Sequence, residues 1–401
     1  MYLKVGNDNG NSEQAIIING DLYRQPNVNA FVQSVPSSDD TTVEALIPNI
    51  MNNLVVSIES PSTRIRSGTY YVGKFALESG KTLSKFTVGI DKKHNSDLPI
   101  INTLGNIAGY AVLKSFEKNN TIPTELKVKV DMTTALPIND WNPEASKIFI
   151  DRFKKGNHRV SVHVGNISIP VTVTFEDVYV MPEGTPAVFA MQKNFKVAEN
   201  AWRKDKIFDD FNKLYDEKID GSYFSDLKVA HVDIGDGTTD FAITEGLRFL
   251  PTFKLGKNVG VGHAITEAIP LFEDATNLSN IERQEYSKYL KDKKHKYYSD
   301  AQRFFFEGKV NQSSEIVSYL QQQLNKIRNE VDLILVYGGG SIAMRDALEE
   351  RIATVAEDAR TKLFYVPSDY AVTLNAEGMY LFVTSKIFDK YKKQQKEKVT
   401  N

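Results

Sequence analysis

Two short acidic glycine turns constrain this chain more than any other feature of its sequence. The first, VGNDNGNS, runs from Val5 to Ser12, and the second, VDIGDGTTD, runs from Val232 to Asp240. In both, an apolar run typical of a β-strand delivers an aspartate into an Asp-x-Gly pattern, and a second such run follows. The sequence therefore predicts a strand-turn-strand unit that is used twice in an α/β chain.

The residue types in these turns suit the phosphates of a nucleotide and its Mg²⁺. Glycine lets the backbone approach a phosphate closely, and successive N–H groups form an anion-binding concavity. An aspartate holds Mg²⁺ through water, because that ion gives up its hydration shell reluctantly. Asp8 and Asp233 are the predicted magnesium residues, through water. The predicted phosphate-binding residues are Gly10, Asn11 and Ser12 in the first turn and Gly235, Asp236, Gly237 and Thr238 in the second.

An ordinary hairpin is the competing interpretation of each turn. Asp-Gly and Asn-Gly pairs mark many turns that bind nothing, so either turn alone is more often structural. Their recurrence at matching registers favours the phosphate interpretation.

A third glycine turn also favours nucleotide binding. Gly338-Gly339-Gly340-Ser341 follows a buried-strand pattern at Leu333–Tyr337, and a helical pattern comes next. A strand, a glycine turn and a helix N-terminus together form a seat for a phosphate or a nucleoside. The turn lacks the Gly-Lys-Ser/Thr of a Walker A loop and the later glycine of a dinucleotide fingerprint. The predicted apolar face of the helix comprises Ile342, Ala347, Leu348, Ile352 and Val355.

Other periodic stretches predict the surrounding elements. Helices are expected over 102–116 and 315–328, where apolar residues recur at helical spacing, and a strand is expected over 126–132. The basic tail from Lys386 is expected to be a frayed terminal helix with cations near its end.

The three turns, in this order, resemble the phosphate 1, phosphate 2 and adenosine loops of the actin-like ATPase superfamily. Further segments resemble the ParM and Alp plasmid-segregation actins in particular, from about Leu3 to about Phe388. These segments are a proposed hairpin in 66–76, the Thr-Ala-Leu-Pro strand end at 134–137, the Met-Pro-Glu segment in 180–187, the glycine-rich stretch in 255–262, and the Asn-Ala-Glu-Gly-Met-Tyr stretch at 375–380.

The resemblance implies an α/β actin-like fold, with two related domains and a central nucleotide cleft. Domain I would span 1–185 with a C-terminal return at 368–401, and domain II would span 186–367. The expected ligands are ATP and Mg²⁺, with GTP as a possible substitute. Gly338, Gly339, Gly340 and Ser341 would then contact the nucleotide.

The same resemblance assigns catalytic roles. Glu183 matches a glutamate beside the attacking water, and Asp233 also lies near that water. The competing interpretation of Glu183 is a carboxylate that stabilises a helix N-terminus. Lys309 falls where the family contributes to the base or ribose pocket, although an exposed surface lysine is the commoner explanation. One departure stands out, since Ala15 occupies the register where actin and ParM carry a phosphate-contacting lysine. Another cation, the metal alone or backbone donors would have to carry that charge.

Composition excludes several other classes of protein. The 401 residues, 41% of them hydrophobic, are enough for two domains with proper cores. The absence of cysteine excludes disulfides, cysteine-zinc sites and thiol catalysis. A net charge of −2 gives no basic field, so direct binding to nucleic acid is not expected. The first residues lack a signal-peptide core, and no apolar run reaches the ~18 residues that span a bilayer. A cytoplasmic protein without a membrane partner is expected.

Three functions remain open, because a fold does not fix a function. The first is a polymerising ATPase that assembles head to tail and segregates plasmid DNA through a DNA-binding adaptor protein. The second is a non-polymerising kinase or phosphatase of the same fold that acts on a small molecule. The third, a chaperone-like ATPase, is disfavoured because no peptide-binding domain follows the ATPase pattern.

Overall fold

The computed structural model describes residues 1–35, 42–87, 90–197 and 201–400, and the chain divides into two units. Unit 1 comprises Met1–Pro182, Asn194–Glu199 and Asn375–Asn401, and unit 2 comprises Glu183–Lys193 and Asn200–Leu374. Each unit contains one of the two acidic turns. Within the described ranges, no helix is both long enough and apolar enough to cross a membrane.

The chain contains both strands and helices, as the predicted α/β class requires. The strands are β1 (Tyr2–Asn9), β2 (Glu13–Ile18), β3 (Asp21–Pro26), β4 (Asn29–Val32), β5 (Val55–Glu59), β6 (Ser67–Val72), β7 (Leu126–Leu136), β8 (His158–Val164), β9 (Ile167–Pro182), β10 (Lys228–Ile234), β11 (Thr239–Glu245), β12 (Arg248–Phe249), β13 (Leu255–Lys257), β14 (Leu333–Tyr337) and β15 (Lys362–Tyr365). The helices are α1 (Val43–Leu46), α2 (Lys74–Glu78), α3 (Leu98–Asn119), α4 (Pro143–Lys154), α5 (Ala187–Gln192), α6 (Asp209–Tyr215), α7 (Val261–Thr276), α8 (Arg283–Lys291), α9 (Tyr298–Lys326), α10 (Gly339–Asp358), α11 (Ser368–Ala371), α12 (Leu374–Val383) and α13 (Lys386–Thr400).

Unit 1 is built on a nine-stranded sheet with the order β3-β2-β1-β7-β9-β8-β5-β6-β4. The long helix α3 is buried along most of its length and packs against this sheet. Pro99 lies in its first turn, and Asn120, the residue after its end, adopts the left-handed conformation that often terminates a helix. A helix that is apolar on most sides belongs in a core, and its side chains join those of β1, β7 and β9 there.

Unit 2 is built on a smaller sheet with the order β12-β11-β10-β14-β15, and β13 pairs with β11. The apolar side chains of β10 and β14 form one core with those of α9 and α10. A second cluster joins α7, α8 and α9 and is rich in aromatic residues, including Phe272, Tyr286 and Phe305. Both clusters are buried, and each large apolar side chain removed from water contributes about 1.5–3 kcal/mol.

The two units repeat one topology. In unit 1, β2 is antiparallel to β1, while β1 is parallel to β7 and β7 is parallel to β9. In unit 2, β11 is antiparallel to β10, while β10 is parallel to β14 and β14 is parallel to β15. The register is repeated as well, because Asp8 pairs with Ala15 and Asp233 pairs with Asp240, in each case the residue seven positions later. The duplicated strand-turn-strand unit predicted from the sequence is therefore present.

Three local expectations are wrong. The segment 66–76 contains no separate hairpin, because Ser67–Val72 is a strand between β5 and β4 and the helix α2 follows it. Gly73, at φ +64°, makes the turn from that strand into the helix. On α10, Ile342 is 38% exposed, whereas Leu348 and Ile352 are fully buried, so the apolar face starts later than expected.

The third wrong expectation concerns the basic tail. The start of α13 packs against the rest of unit 1 and is not frayed. Phe388 is fully buried, and the hydroxyl of Tyr391 donates to the carbonyl of Val178 at 2.9 Å. Lys392 Nζ lies 2.6 Å from Oδ2 of Asp131, a residue of β7 that is 1% exposed. Burial has the largest single effect and lowers the pKa of Lys392, but the hydrogen bonds and charge interactions with Asp131 and Tyr2 together outweigh burial and raise that pKa.

We expect Lys392→Met to destabilise the protein, because it leaves the buried Asp131 carboxylate without its cation. The free energy of unfolding should fall by about 2 kcal/mol, less than for a fully buried pair because Lys392 is partly exposed. Chemical denaturation followed by circular dichroism measures this change. Lys390→Met is the matched control, since Lys390 is exposed on the same helix. Asp131→Asn should restore part of the loss in the Lys392→Met background, and additive losses would contradict the pairing.

Candidate functional site

The first acidic turn closes the β1–β2 hairpin of unit 1. Asp8 is half-buried at the end of β1, Asn11 is half-buried and Ser12 is exposed. The side-chain Nδ2 of Asn27 donates to the carbonyl of Gly10 at 2.6 Å, and its backbone N–H donates to the carbonyl of Ser12 at 2.9 Å. Because these carbonyls are already engaged, the turn is suited to present N–H groups rather than oxygens to an anion.

A network of uncharged side chains lies behind this turn. Gln14 Nε2 donates to Oδ1 of Asn7 at 2.8 Å, and Nδ2 of Asn7 donates to the hydroxyl of Thr103 at 2.8 Å. Asn106 Nδ2 donates to Oε1 of Gln14 at 3.0 Å. All four residues are buried, so these bonds form in a low-dielectric interior where each is strengthened. The network fixes the base of the turn on α3.

Position 15, where the family resemblance implies a phosphate-contacting lysine, holds an apolar side chain. Ala15 is 4% exposed and packs with Ile17 and Ala376. Its neighbour Gln14 points into the amide network just described. Neither position contributes a cation to the first turn.

The second acidic turn, between β10 and β11, has its carbonyls satisfied in the same manner. The carbonyl of Thr238 accepts from the N–H of Gly235 at 2.8 Å, and that of Asp236 accepts from the N–H of Gly262 at 2.7 Å. The carbonyl of Gly237 accepts from Nε2 of His263 at 3.1 Å. Gly262 and His263 belong to the first turn of α7, which therefore holds the acidic turn in place.

A cation lies beside this second turn. Arg283, at the start of α8, places Nη2 2.7 Å from Oδ2 of Asp236. The side chain of Asp236 is 28% exposed and that of Arg283 is 39% exposed, so the pair is reachable from solvent. The guanidinium offsets the charge of a carboxylate that would otherwise repel a phosphate at this turn.

The triple glycine turn packs directly onto the second acidic turn. A Cβ on Gly338 would lie 2.4 Å from the carbonyl oxygen of Ile234 and 2.6 Å from Oδ1 of Asp233. A Cβ on Gly340 would lie 2.6 Å from the carbonyl oxygen of Gly235. Only glycine permits such close contacts at these two positions. As a result, the triple glycine turn lies against the second acidic turn and against Asp233, the predicted magnesium residue. Nothing lies within 4 Å of a Cβ on Gly339, so the start of α10 faces open space.

Two further predicted residues lie deeper than the sequence suggested. Ser341 is fully buried and its hydroxyl donates to the carbonyl of Gly338 at 2.8 Å, so it supports the shape of the turn. The side chain of Lys309 is 5% exposed, and its Nζ lies 2.6 Å from Oδ2 of Asp346. The alternative of an exposed surface lysine is therefore wrong, while a role for Lys309 at the base or ribose stays a prediction.

Glu183 begins unit 2 and is half-buried. Gly184 follows it with φ +82°, in the left-handed region, and a Cβ on Gly184 would lie 3.8 Å from the Cβ of Asp240. Asp240 is the cross-strand partner of Asp233. The backbone beside Glu183 thus lies next to the strand pair that carries Asp233.

The single carboxylate beside each acidic turn suits a hydrated cation. Among the described residues, no group of three or more His, Asp or Glu side chains could hold a metal ion directly. Mg²⁺ is commonly bound through one or two carboxylates together with phosphate oxygens and water. Within each unit taken separately, one aspartate lies beside the acidic turn, Asp8 in unit 1 and Asp233 in unit 2, and a single carboxylate suits that donor chemistry.

The sequence pointed to the turns but not to the side chains that support them. Arg283 is 47 positions from Asp236 and belongs to no local motif. Gly262 ends the glycine-rich stretch of 255–262 and His263 follows it directly, so that stretch was a usable signal. The burial of Tyr337 and His231 was visible only as apolar patterning of their strands.

Comparison with known proteins identifies the fold. No protein-family model matches the sequence, and no curated protein matches it. Among solved structures, the actin-like protein Alp7A aligns over 100% of both chains, with a TM-score of 0.67 and 18% identity. The chain has the actin-like fold.

Other solved structures with the actin-like fold agree. Bacillus thuringiensis ParM with ATP covers 97% of this chain and 99% of its own, with a TM-score of 0.63 and 16% identity. An archaeal actin homologue, Ta0583, covers 94% of this chain and 98% of its own, with a TM-score of 0.61 and 14% identity. The B. thuringiensis protein was also solved with AMPPNP and with ADP. The predicted resemblance to actin-like proteins of the ParM and Alp type is confirmed at the level of the fold.

We expect Arg283→Met to weaken the binding of Mg-ATP, because the Asp236 carboxylate would then face the phosphates without its counter-charge. The dissociation constant should rise by about 10-fold, which corresponds to about 1.4 kcal/mol. Isothermal calorimetry measures it. Lys288→Met, an equal charge change at an exposed position of the same helix, is the control. Asp236→Asn should recover affinity in the Arg283→Met background, and a failure to recover would contradict the charge argument.

Proposed function

We propose that this protein is a nucleotide-dependent, filament-forming ATPase that segregates plasmid DNA through an adaptor protein. The observation that carries the proposal is the repetition of one acidic turn at one register, with a triple glycine turn packed on the second copy. The actin-like fold supports the assignment, and so does the presence of ATP, AMPPNP or ADP in the B. thuringiensis ParM structures.

Binding would use both turns. The N–H groups of the first turn and the side chains of Asn11 and Ser12 would contact phosphate oxygens. Gly235 to Thr238 would do the same in unit 2, and Gly339 would face the nucleoside. Asp8 and Asp233 would hold Mg²⁺ through water, and the ion would neutralise charge on the phosphates. With Ala15 at the lysine register, the backbone donors and the metal would balance the phosphate charge, while Arg283 would neutralise the carboxylate of Asp236 beside it.

Hydrolysis would then need a positioned water. The oxygen of that water attacks the γ-phosphorus while the bond from this phosphorus to the β–γ bridging oxygen breaks. Glu183 accepts a proton from the water, with Asp233 nearby, and ADP and inorganic phosphate leave. A carboxylate suits this role as a weak general base.

Filament assembly would couple this reaction to DNA movement. A head-to-tail contact between identical subunits does not close, so it produces a filament above a critical concentration. The adaptor, rather than this chain, would bind the DNA, since the net charge of −2 provides no basic surface field.

We expect Glu183→Gln to slow the release of phosphate by roughly 10²–10⁴-fold while leaving the binding of Mg-ATP intact. The amide keeps the shape of the side chain but cannot accept the proton. Single-turnover phosphate release and calorimetry separate the two effects. Glu144→Gln, at an exposed position of α4, is the control. A wild-type rate in Glu183→Gln would remove Glu183 from the catalytic assignment.

Assembly should depend on the nucleotide. With Mg-ATP, light scattering and pelletable protein should appear above a critical concentration and decay as ATP is consumed, whereas a slowly hydrolysed analogue should preserve the polymer. Raising the ionic strength should shift the critical concentration through screening. GTP in place of ATP tests the choice of base. A protein that binds Mg-ATP but stays monomeric at tens of micromolar, roughly the scale of μM affinities, would instead favour a non-polymerising kinase or phosphatase.

A further inference from the structure

Two buried polar side chains of unit 2 lie outside the predicted site, on the strands that form its base. His231 is on β10 and is 1% exposed, and Tyr337 is the last residue of β14 and is fully buried. Tyr337 is the register partner of Asp233 on the neighbouring parallel strand. A tyrosine hydroxyl buried at this depth requires a hydrogen-bond partner.

That partner is the backbone beside Glu183. The hydroxyl of Tyr337 donates to the carbonyl oxygen of Gly184 at 2.5 Å. This bond anchors the peptide that follows Glu183 to the end of β14. Gly184 is held in the left-handed region at φ +82°, where its backbone turns before α5 begins at Ala187.

The hydrogen bonds of His231 have one consistent direction. Tyr337 has one hydroxyl hydrogen, and Gly184 receives it, so the 3.4 Å contact between that hydroxyl and Nδ1 of His231 requires Nδ1 to donate. Nε2 of the neutral ring is then an acceptor for the hydroxyl of Thr244, 2.9 Å away. Burial lowers the pKa of His231 to about 3, so the ring stays neutral and keeps this single tautomer. The hydroxyl of Thr244 thus donates to His231, His231 donates to Tyr337, and Tyr337 donates to the carbonyl of Gly184, the residue after Glu183.

We infer that Tyr337, oriented by His231, is a positioning residue for Glu183 in the hydrolysis of the nucleotide. The inference rests on the proposed function. Its physical basis is that a base must be within hydrogen-bond reach of the water proton, and a displacement of about 1 Å can cost 10²-fold in rate. Glu183 starts a segment that leaves β9 and enters α5, and the Tyr337 bond fixes this segment immediately after the carboxylate.

The decisive variant is Tyr337→Phe, which removes one hydroxyl and keeps the ring. At saturating Mg-ATP, single-turnover phosphate release should fall by about 10- to 100-fold. The dissociation constant for Mg-ATP should change by less than about 2-fold, because no proposed ligand contact is removed. Without nucleotide, the backbone amides in 183–187 should exchange hydrogen faster in Tyr337→Phe than in the wild-type protein. This measurement reports on the bond from Tyr337 to Gly184 independently of catalysis.

Tyr286→Phe is the matched control. Its hydroxyl is also buried in unit 2 and also donates to a backbone carbonyl, that of Ala301 at 2.7 Å, within the aromatic cluster of α7, α8 and α9. It should lose comparable stability but keep its rate of phosphate release. If Tyr286→Phe and Tyr337→Phe slow the reaction equally, the effect is one of general stability and the inference is overturned.

The double variant separates this inference from the proposed function. In the Glu183→Gln background, Tyr337→Phe should add no further loss, because its effect passes through Glu183. If Glu183→Gln is slow and Tyr337→Phe hydrolyses ATP at the wild-type rate, the positioning role is wrong and the proposed function survives. If the wild-type protein hydrolyses no nucleotide, the proposed function fails and the positioning role fails with it.

Discussion

Each acidic turn depends on one pairing register between two antiparallel strands. An aspartate at the end of the central strand pairs with the residue seven positions later, Ala15 for Asp8 and Asp240 for Asp233. Because side chains alternate along a strand, a slip of one residue would move each aspartate to the opposite face of its sheet. In unit 2 the parallel neighbour β14 ends beside Asp233, so the triple glycine turn reaches the same edge. The register therefore determines which groups meet.

In the two turns, different groups bond the backbone carbonyls and so leave N–H groups for an anion. An anion requires N–H groups, so the carbonyls of the turn must be bonded elsewhere. In unit 1, Asn27 and the uncharged amide network perform this task. In unit 2, the first turn of α7 binds the carbonyls, and Arg283 balances the additional carboxylate of Asp236. The second arrangement places a cation within unit 2, at a position unrelated to the lysine register of the first turn.

Sequence reasoning found the elements whose signal is local. The helix expected over 102–116 and the strand expected over 126–132 are the cores of α3 and β7, and the pattern at Leu333–Tyr337 is β14. It failed where tertiary contacts decide the outcome. The family resemblance predicted a hairpin in 66–76, yet Ser67–Val72 is a strand that pairs with β4 and β5. Arg283 and the bond from Tyr337 to Gly184 join positions far apart in the chain, so no spacing predicts them.

The discontinuity of unit 1 has a consequence for the order of folding. Its sheet begins with the first residues, but α12 covers Gly6 closely, where a Cβ would lie 2.4 Å from the backbone nitrogen of Tyr380. The cation beside the buried Asp131 comes from α13. Domains fold as units during synthesis, from the N-terminus onward. Unit 2 is complete in the chain at Leu374, whereas unit 1 gains its last helices only from Asn375–Asn401. The half that is started first is thus completed after unit 2.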